Sequence, residues 1–321
     1  MRKAEKNNTA ANRQEALKEL TEQLEQSIRS FMSGETYRNF LSKMSRFHSY
    51  SLNNQLLIAM QRPDATLCAS YSAWKKQGRQ VKKGEAGIKI ICPAPYKAQV
   101  LEDIIDPKTE KPEHMEDGST RQAVVEKIIP FYKIGYTFDV SQTEGEPLPE
   151  LTKKLEGDLD NTQKDLKDAL LQICPVPVHF KPIPGNANGY YNLMQKEIVI
   201  DSTLSEKHAL KTLIHEMAHA KLHDNDIPDA PQDSSTREIQ AESIAYVVCH
   251  YFGLDTSDFT FGYISGWSSG KDTLELKNSL ETIRSTSNDI ISDAEQFLEK
   301  IRTQKHITLP SEPIICKGRC R

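Results

Sequence analysis

Leu213-Ile214-His215-Glu216-Met217-Ala218-His219 is a His-Glu-x-x-His sequence set in a helical pattern. Two histidines four apart on a helix share a face, so both imidazoles reach one ion. The glutamate beside the first is placed to take a proton from a water that the metal activates. Ala209, Leu210, Leu213, Ile214 and Met217 give this helix an apolar side to bury, and Ser205 stands where an N-cap belongs. These residues read as a metal helix rather than as accidental spacing.

Three short strands are predicted just upstream, at 176–180, 189–192 and 197–200. A small sheet feeding a His-Glu-x-x-His helix is the layout of a zincin-like peptidase domain. A polar helix is expected near 151–173, ahead of those strands. Downstream, an acidic loop at 224–233 leads to a helix over 235–252, with Ile244, Val247, Val248 and Tyr251 inward and Gly253 closing it. Trp267 and two further helical stretches, near 271–284 and 287–302, complete the domain.

A catalytic zinc needs three protein ligands and an open position. Glu238 and Glu242 lie four apart on one face of the downstream helix, and either can supply the third. Ser235-x-x-Glu238 also reads as a capping box, which would spend that carboxylate on the backbone. His208, His223 and His250 read as surface or packing histidines. Tyr190, Tyr191 and Tyr246 are candidates for oxyanion stabilisation by chemistry alone.

The first part of the chain has a different character. Residues 1–101 hold 17 Lys and Arg against 8 Asp and Glu, whereas the whole chain has a net charge of −4. The remainder is therefore acidic, and a basic part joined to an acidic one suggests that the first binds a polyanion. Helices are expected over 13–33 and after Gly34, with a third from Ser51 to the break at Pro63. Ser70 then caps a short helix from Tyr71 that Gly78 closes, and strands follow at 79–85 and 88–92. From Tyr71 to Lys97 there are seven cations and one acid, interleaved with Tyr71, Trp74 and Tyr96. Cations for phosphates and flat partners for unpaired bases are what single-stranded nucleic acid requires. Lys75, Lys76, Arg79, Lys82, Lys83 and Lys89 are the candidate phosphate contacts. Residues 98–122 read as a flexible acidic excursion, 124–138 as one strand, and 139–150 as a linker.

With 37% hydrophobic and 27% charged residues, no long apolar run and no secretory leader, the chain reads as a soluble protein without membrane association. Six scattered cysteines suggest a reducing cytoplasm, with Cys316 and Cys320 as the one close pair, in a basic tail.

Asn54-Gln55-Leu56-Leu57-Ile58, Trp74-Lys75 with Gly78-Arg79, Val81-Lys82-Lys83-Gly84-Glu85 and Phe138-Asp139-Val140-Ser141-Gln142-Thr143 resemble the N-terminal domain of ArdC-type antirestriction proteins. That family joins a single-stranded-DNA-binding domain to a metallopeptidase-like one, often on plasmids and other mobile elements. The gap of eighteen residues between His219 and Glu238 is similar to that in gluzincin peptidases. On that resemblance Glu238 is the third ligand, and Glu242 steadies a ligand histidine.

The expected fold is α+β in two domains: residues 1–148 binding single-stranded DNA, 149–307 a gluzincin-like metallopeptidase, and 308–321 an unstructured tail. The expected centre is zinc, with manganese as the alternative ion, on His215, His219 and Glu238, with Glu216 as base acting on an unnamed protein substrate. Two rival functions stand beside this one: a non-enzymatic protein that shields DNA from restriction nucleases, with a structural or vestigial metal site, and a regulatory protease that cleaves a repressor.

Overall fold

The structure, a computed structural model, describes residues 2–107, 109–115, 117–148, 159–227 and 233–304. Three helices come first: α1 (Arg2–Ser27), α2 (Gly34–Arg46) and α3 (Leu52–Gln61), with a 3-10 turn at Ile28–Phe31 between the first two. Their apolar stripes bury Leu24, Ile28, Tyr37, Phe40, Leu41, Leu56 and Leu57. Next come β1 (Cys68–Ala69), α4 (Tyr71–Lys76), β2 (Arg79–Val81), β3 (Ile88–Pro93), β4 (Tyr96–Asp103), β5 (Gln122–Ile129), β6 (Tyr132–Asp139) and β7 (Thr143–Gly145). Strand β6 pairs antiparallel with both β1 and β3, β2 pairs with β7, and β4 with β5.

The second half runs α5 (Leu159–Ile173), β8 (Val178–Lys181), β9 (Gly189–Asn192), β10 (Glu197–Asp201), α6 (Glu206–Leu222), α7 (Ser234–Tyr251), α8 (Ile264–Ser269) and α9 (Thr273–Gln304). Its sheet has β10 in the centre, parallel to β8 and antiparallel to β9. Among the described residues no helix is long and apolar enough to cross a membrane.

Four expectations are corrected. The acidic excursion at 98–122 is largely a two-stranded arm, β4 against β5, in register from Tyr96 opposite Ile129 to Asp103 opposite Gln122. The strand expected over 124–138 is two strands, since Pro130 has no N–H to give a ladder and falls between β5 and β6. The linker begins inside the fold: buried Asp139 accepts hydrogen bonds from the Thr66 and Leu67 amides, at 2.7 and 3.0 Å, and β7 pairs with β2. The two last helices are one, α9, and the residues at the expected break face inward, with Thr286 and Ser287 buried between Ile283 and Ile290 on the packed side of the helix. The 148/149 boundary, the start of the polar helix near 151, part of the acidic loop and the tail with Cys316 and Cys320 lie outside the described residues.

The largest core is common to both halves. Tyr37, Phe40, Leu41 and Leu57 belong to the same buried cluster as Leu213, Ile244, Val247, Leu280 and Ile291. Tyr37 hydrogen-bonds through its hydroxyl to Ser243 Oγ at 2.8 Å, and its ring meets Phe261 edge-on at 5.3 Å. The imidazole of His250, on α7, lies 2.8 Å from Ser45 Oγ and 3.1 Å from Ser42 Oγ, both on α2. A smaller cluster of Phe47, Tyr50, Ile58, Ile88 and Ile90 sits beneath the first sheet. Periodicity shows that each helix hides a stripe but not which neighbour covers it, and here the stripes of both halves cover one another.

Candidate metal centre

Ser205 caps α6 by accepting from the His208 amide, and Leu210, Leu213, Ile214 and Met217 fix its buried face. Strand β9 lies directly against this helix because residue 189 is glycine. A Cβ there would stand 2.6 Å from Thr212 Cγ2 and 3.0 Å from Val199 O. Gly189→Ala should therefore lower thermal stability by about 1–3 kcal/mol, the usual cost of overpacking. A melting temperature equal to that of the parent chain would show that the strand has room to move.

The α7 helix begins at Ser234 and is capped by Asp233, whose side chain accepts from the Thr236 amide at 2.7 Å. Ser235 lies within the helix and donates to Asp233 at 2.6 Å, so the anticipated capping box with Glu238 does not form. Glu238 is left facing α6. Its carboxylate lies 3.5 Å from Nε2 of both His215 and His219, and those two nitrogens are 3.1 Å apart. Bonds of about 2.0–2.1 Å to a tetrahedral zinc imply ligand–ligand edges of about 3.3 Å. The contacts are of that size, Oε2 of Glu238 facing His215 and Oε1 facing His219, and one ligand atom from each of the three residues lies within 4.8 Å of the others, a catalytic-type donor set of two imidazoles and a carboxylate. Glu242, one turn along, lies 3.3 Å from His215 Nδ1, on the far side of the ring from the triangle. The Lys211 ammonium stands 3.8 Å from Glu242, offsetting the repulsion between the two glutamates.

The basic segment of the N-terminal half is sorted differently from the sequence reading. Trp74 is fully buried, its indole N–H donating to Phe138 O at 2.9 Å, so it presents no face to a base. Arg79 is likewise occupied, donating to Thr143 Oγ1 at 2.9 Å and to the Thr143 carbonyl at 3.1 Å, which ties β7 to β2. Tyr71, Lys82 and Lys83 do come together, lining an open groove of about 500 Å³ along with Phe138, Glu85 and Glu144. Lys75 and Lys76 are exposed on α4. Lys89 is opposite Tyr136, which the sequence reading missed and which is 55% exposed. The signal for Tyr136 and Phe138 lay in the alternation along β6, where every second residue faces the same side.

The N-terminal domain of anti-restriction factor ArdC matches residues 10–138, and the IrrE N-terminal-like domain, of the M78 peptidase class, matches residues 174–263. The chain has the ArdC-type two-domain architecture. An uncharacterized protein of Bacillus anthracis is 27% identical over 323 residues, covering 91% of this chain and 54% of its own length. The chain thus spans about half of that curated relative. The metal-free crystal structure of the antirestriction ArdC protein from plasmid R388 is 19% identical, with a TM-score of 0.42 over 79% of this chain and 86% of that one. Its Mn(II)-bound form is 18% identical, with a TM-score of 0.43 over 78% and 85%.

Glu216, next to His215 on α6, is buried and accepts a hydrogen bond from the Tyr191 amide on β9. Burial raises its carboxyl above the usual range, with protonated His215 pulling the other way. Burial disfavours protonation of His215, yet Glu238 and Glu242 outweigh it and push its pKa up to about 9. Burial, then the charge of His215, holds His219 low. One shared proton on the pair therefore sits on His215.

The three tyrosines proposed for the oxyanion separate. Tyr246 is buried in the shared core, stacked on His250 at 5.7 Å, far from this role. The Tyr191 hydroxyl donates to Asp224, which Lys196 also holds. Tyr190 is exposed on β9. Tyr263 went unnoticed in the sequence, isolated in the loop before α8. It is 45% exposed, and partial burial, followed by the charges of Glu242 and Glu238, raises its pKa to about 12. Trp267, one helical turn on, secures α8 by donating to Thr236 Oγ1 at 2.9 Å.

Proposed function

We propose that the chain is an antirestriction protein that binds single-stranded DNA through residues 1–148 and hydrolyses peptide bonds at a zinc centre in residues 149–307, in the cytoplasm. The observation that carries this reading is the triangle of His215, His219 and Glu238 with Glu216 buried beside it. A purely structural ion has no use for Glu216 or for a fourth, open position. Zinc bound there supplies Lewis acidity to a water and to a peptide carbonyl. Glu216, oriented by the Tyr191 amide and with its basicity raised by burial, takes the water's proton and delivers it to the leaving amine. The open edge of β9, beside that carboxylate, is where an extended peptide finds backbone partners. On the DNA side, Tyr71, Lys82, Lys83, Lys89 and Tyr136 supply charge and stacking faces.

Glu216→Gln tests the reading, because it removes a base and no ligand. Zinc content should be unchanged while any proteolysis falls by roughly 10²–10⁴-fold, the usual contribution of general acid–base catalysis. Antirestriction in cells should fall in parallel. Protection that survives Glu216→Gln intact would make the protein a shield for DNA, not a peptidase. Loss of protection with a single host repressor left uncut would identify a regulatory protease.

A further inference from the structure

Histidine recurs once more on α6: His223 caps its C-terminus, four residues after His219. It is only 5% exposed, although the sequence reading gave it no role beyond surface or packing. Its Nδ1 lies 2.9 Å from Nδ1 of His219, and its Nε2 lies 2.9 Å from Gln240 Oε1 on α7. Gln240 Nε2 donates onward to Ser279 Oγ on α9, at 3.2 Å.

Two ring nitrogens at that separation hold one proton between them. Without a proton, two lone pairs face each other, and with two, N–H groups meet head to head. When His219 turns the lone pair of Nε2 towards Glu238 and a metal, its proton is on Nδ1 and is donated to His223. His223 must then carry its own proton on Nε2, where Gln240 Oε1 accepts it. We infer that His223 is a positioning residue that holds His219 in its metal-binding tautomer, with Gln240 setting His223 in turn. The inference rests on reading His215, His219 and Glu238 as the metal site. His223 is not a fourth ligand, since both of its nitrogens are engaged away from the triangle. The two ligand histidines are thus held unequally, His215 by the carboxylate of Glu242 and His219 by a neutral chain running to the last helix.

The test is zinc affinity of the full chain, read by competition with a chromogenic chelator. His223→Leu keeps bulk but offers no acceptor, and should weaken zinc binding roughly 10–100-fold, as outer-shell losses do. Gln240→Leu should act in the same direction. His223→Gln can accept from His219 and donate to Gln240, so its affinity should stay within about threefold of the parent. Nitrogen-15 NMR of the zinc-loaded parent should place the His223 proton on Nε2, a reading that needs no variant to fold. Parent-like affinity in both leucine variants, or a proton on Nδ1 of His223, would overturn the relay alone. A parent chain without zinc affinity would overturn the metal centre and the relay together.

Discussion

Replacing Glu238 with glutamine should strip zinc from the full chain while leaving the metal-free protein as stable as its parent. The carboxylate is one corner of the triangle, 3.5 Å from each histidine nitrogen, and an amide is a much poorer ligand. Two neutral imidazoles remain, too few for a catalytic-type site. Stability should hold because the side chain is 60% exposed and Asp233, not Glu238, closes the start of α7. Glu242→Ala should be milder, since that carboxylate touches the far nitrogen of His215. A reduction of metal affinity of roughly 10–100-fold is expected there. Metal content after dialysis and a thermal melt of each variant settle the ranking. Empty Glu242 variants with full Glu238 variants would move the third ligand one turn along α7.

The helix that carries His215 and His219 was legible in the sequence because its determinants are local: the four-residue spacing of the histidines, the apolar stripe and the Ser205 cap. The choice between Glu238 and Glu242 needed one fact that spacing cannot supply, the exact start of α7. Asp233 and Ser235 are both good capping residues, and moving the cap by two residues decides whether Glu238 serves the backbone or faces the histidines. His223 and Tyr263 were opaque for a different reason. Their partners, Gln240, Ser279 and the two glutamates, come from other helices, and nothing in the linear pattern links them. The misreading of Trp74 has the same origin. An aromatic among lysines looks like a stacking platform until β6 is seen to cover it.

That last point carries the second large effect. Trp74→Ala should cost about 3–5 kcal/mol, the range for emptying a buried aromatic site, and any loss of DNA binding should track unfolding. Its indole hydrogen bond to Phe138 O would go too, loosening β6 beneath the groove. Lys82→Glu with Lys83→Glu should behave in the opposite way. Both side chains line the groove, so the melting temperature should stay close to the parent's while single-stranded DNA binding weakens across all sequences. The salt dependence should flatten as well, because fewer counterions are released. Arg79 is left out of that pair, since reversing its charge would also break the tie between β2 and β7. A folded Trp74→Ala protein that has specifically lost DNA would restore the tryptophan as a contact residue. Undiminished binding in the double lysine variant would move the site elsewhere.

The shared core has a consequence for how long the molecule survives. Tyr37 on α2 and Ser243 on α7 are bonded inside one apolar mass, so neither half can open without exposing part of the other. A ligand that favours the folded state at either end then shields the entire chain, adding about 2.7 kcal/mol at a hundredfold excess over its dissociation constant. Unfolded molecules are what cellular proteases consume. A metal ion at α6 and α7 and a polyanion at β2 and β3 would therefore each lengthen the lifetime of the helices between them.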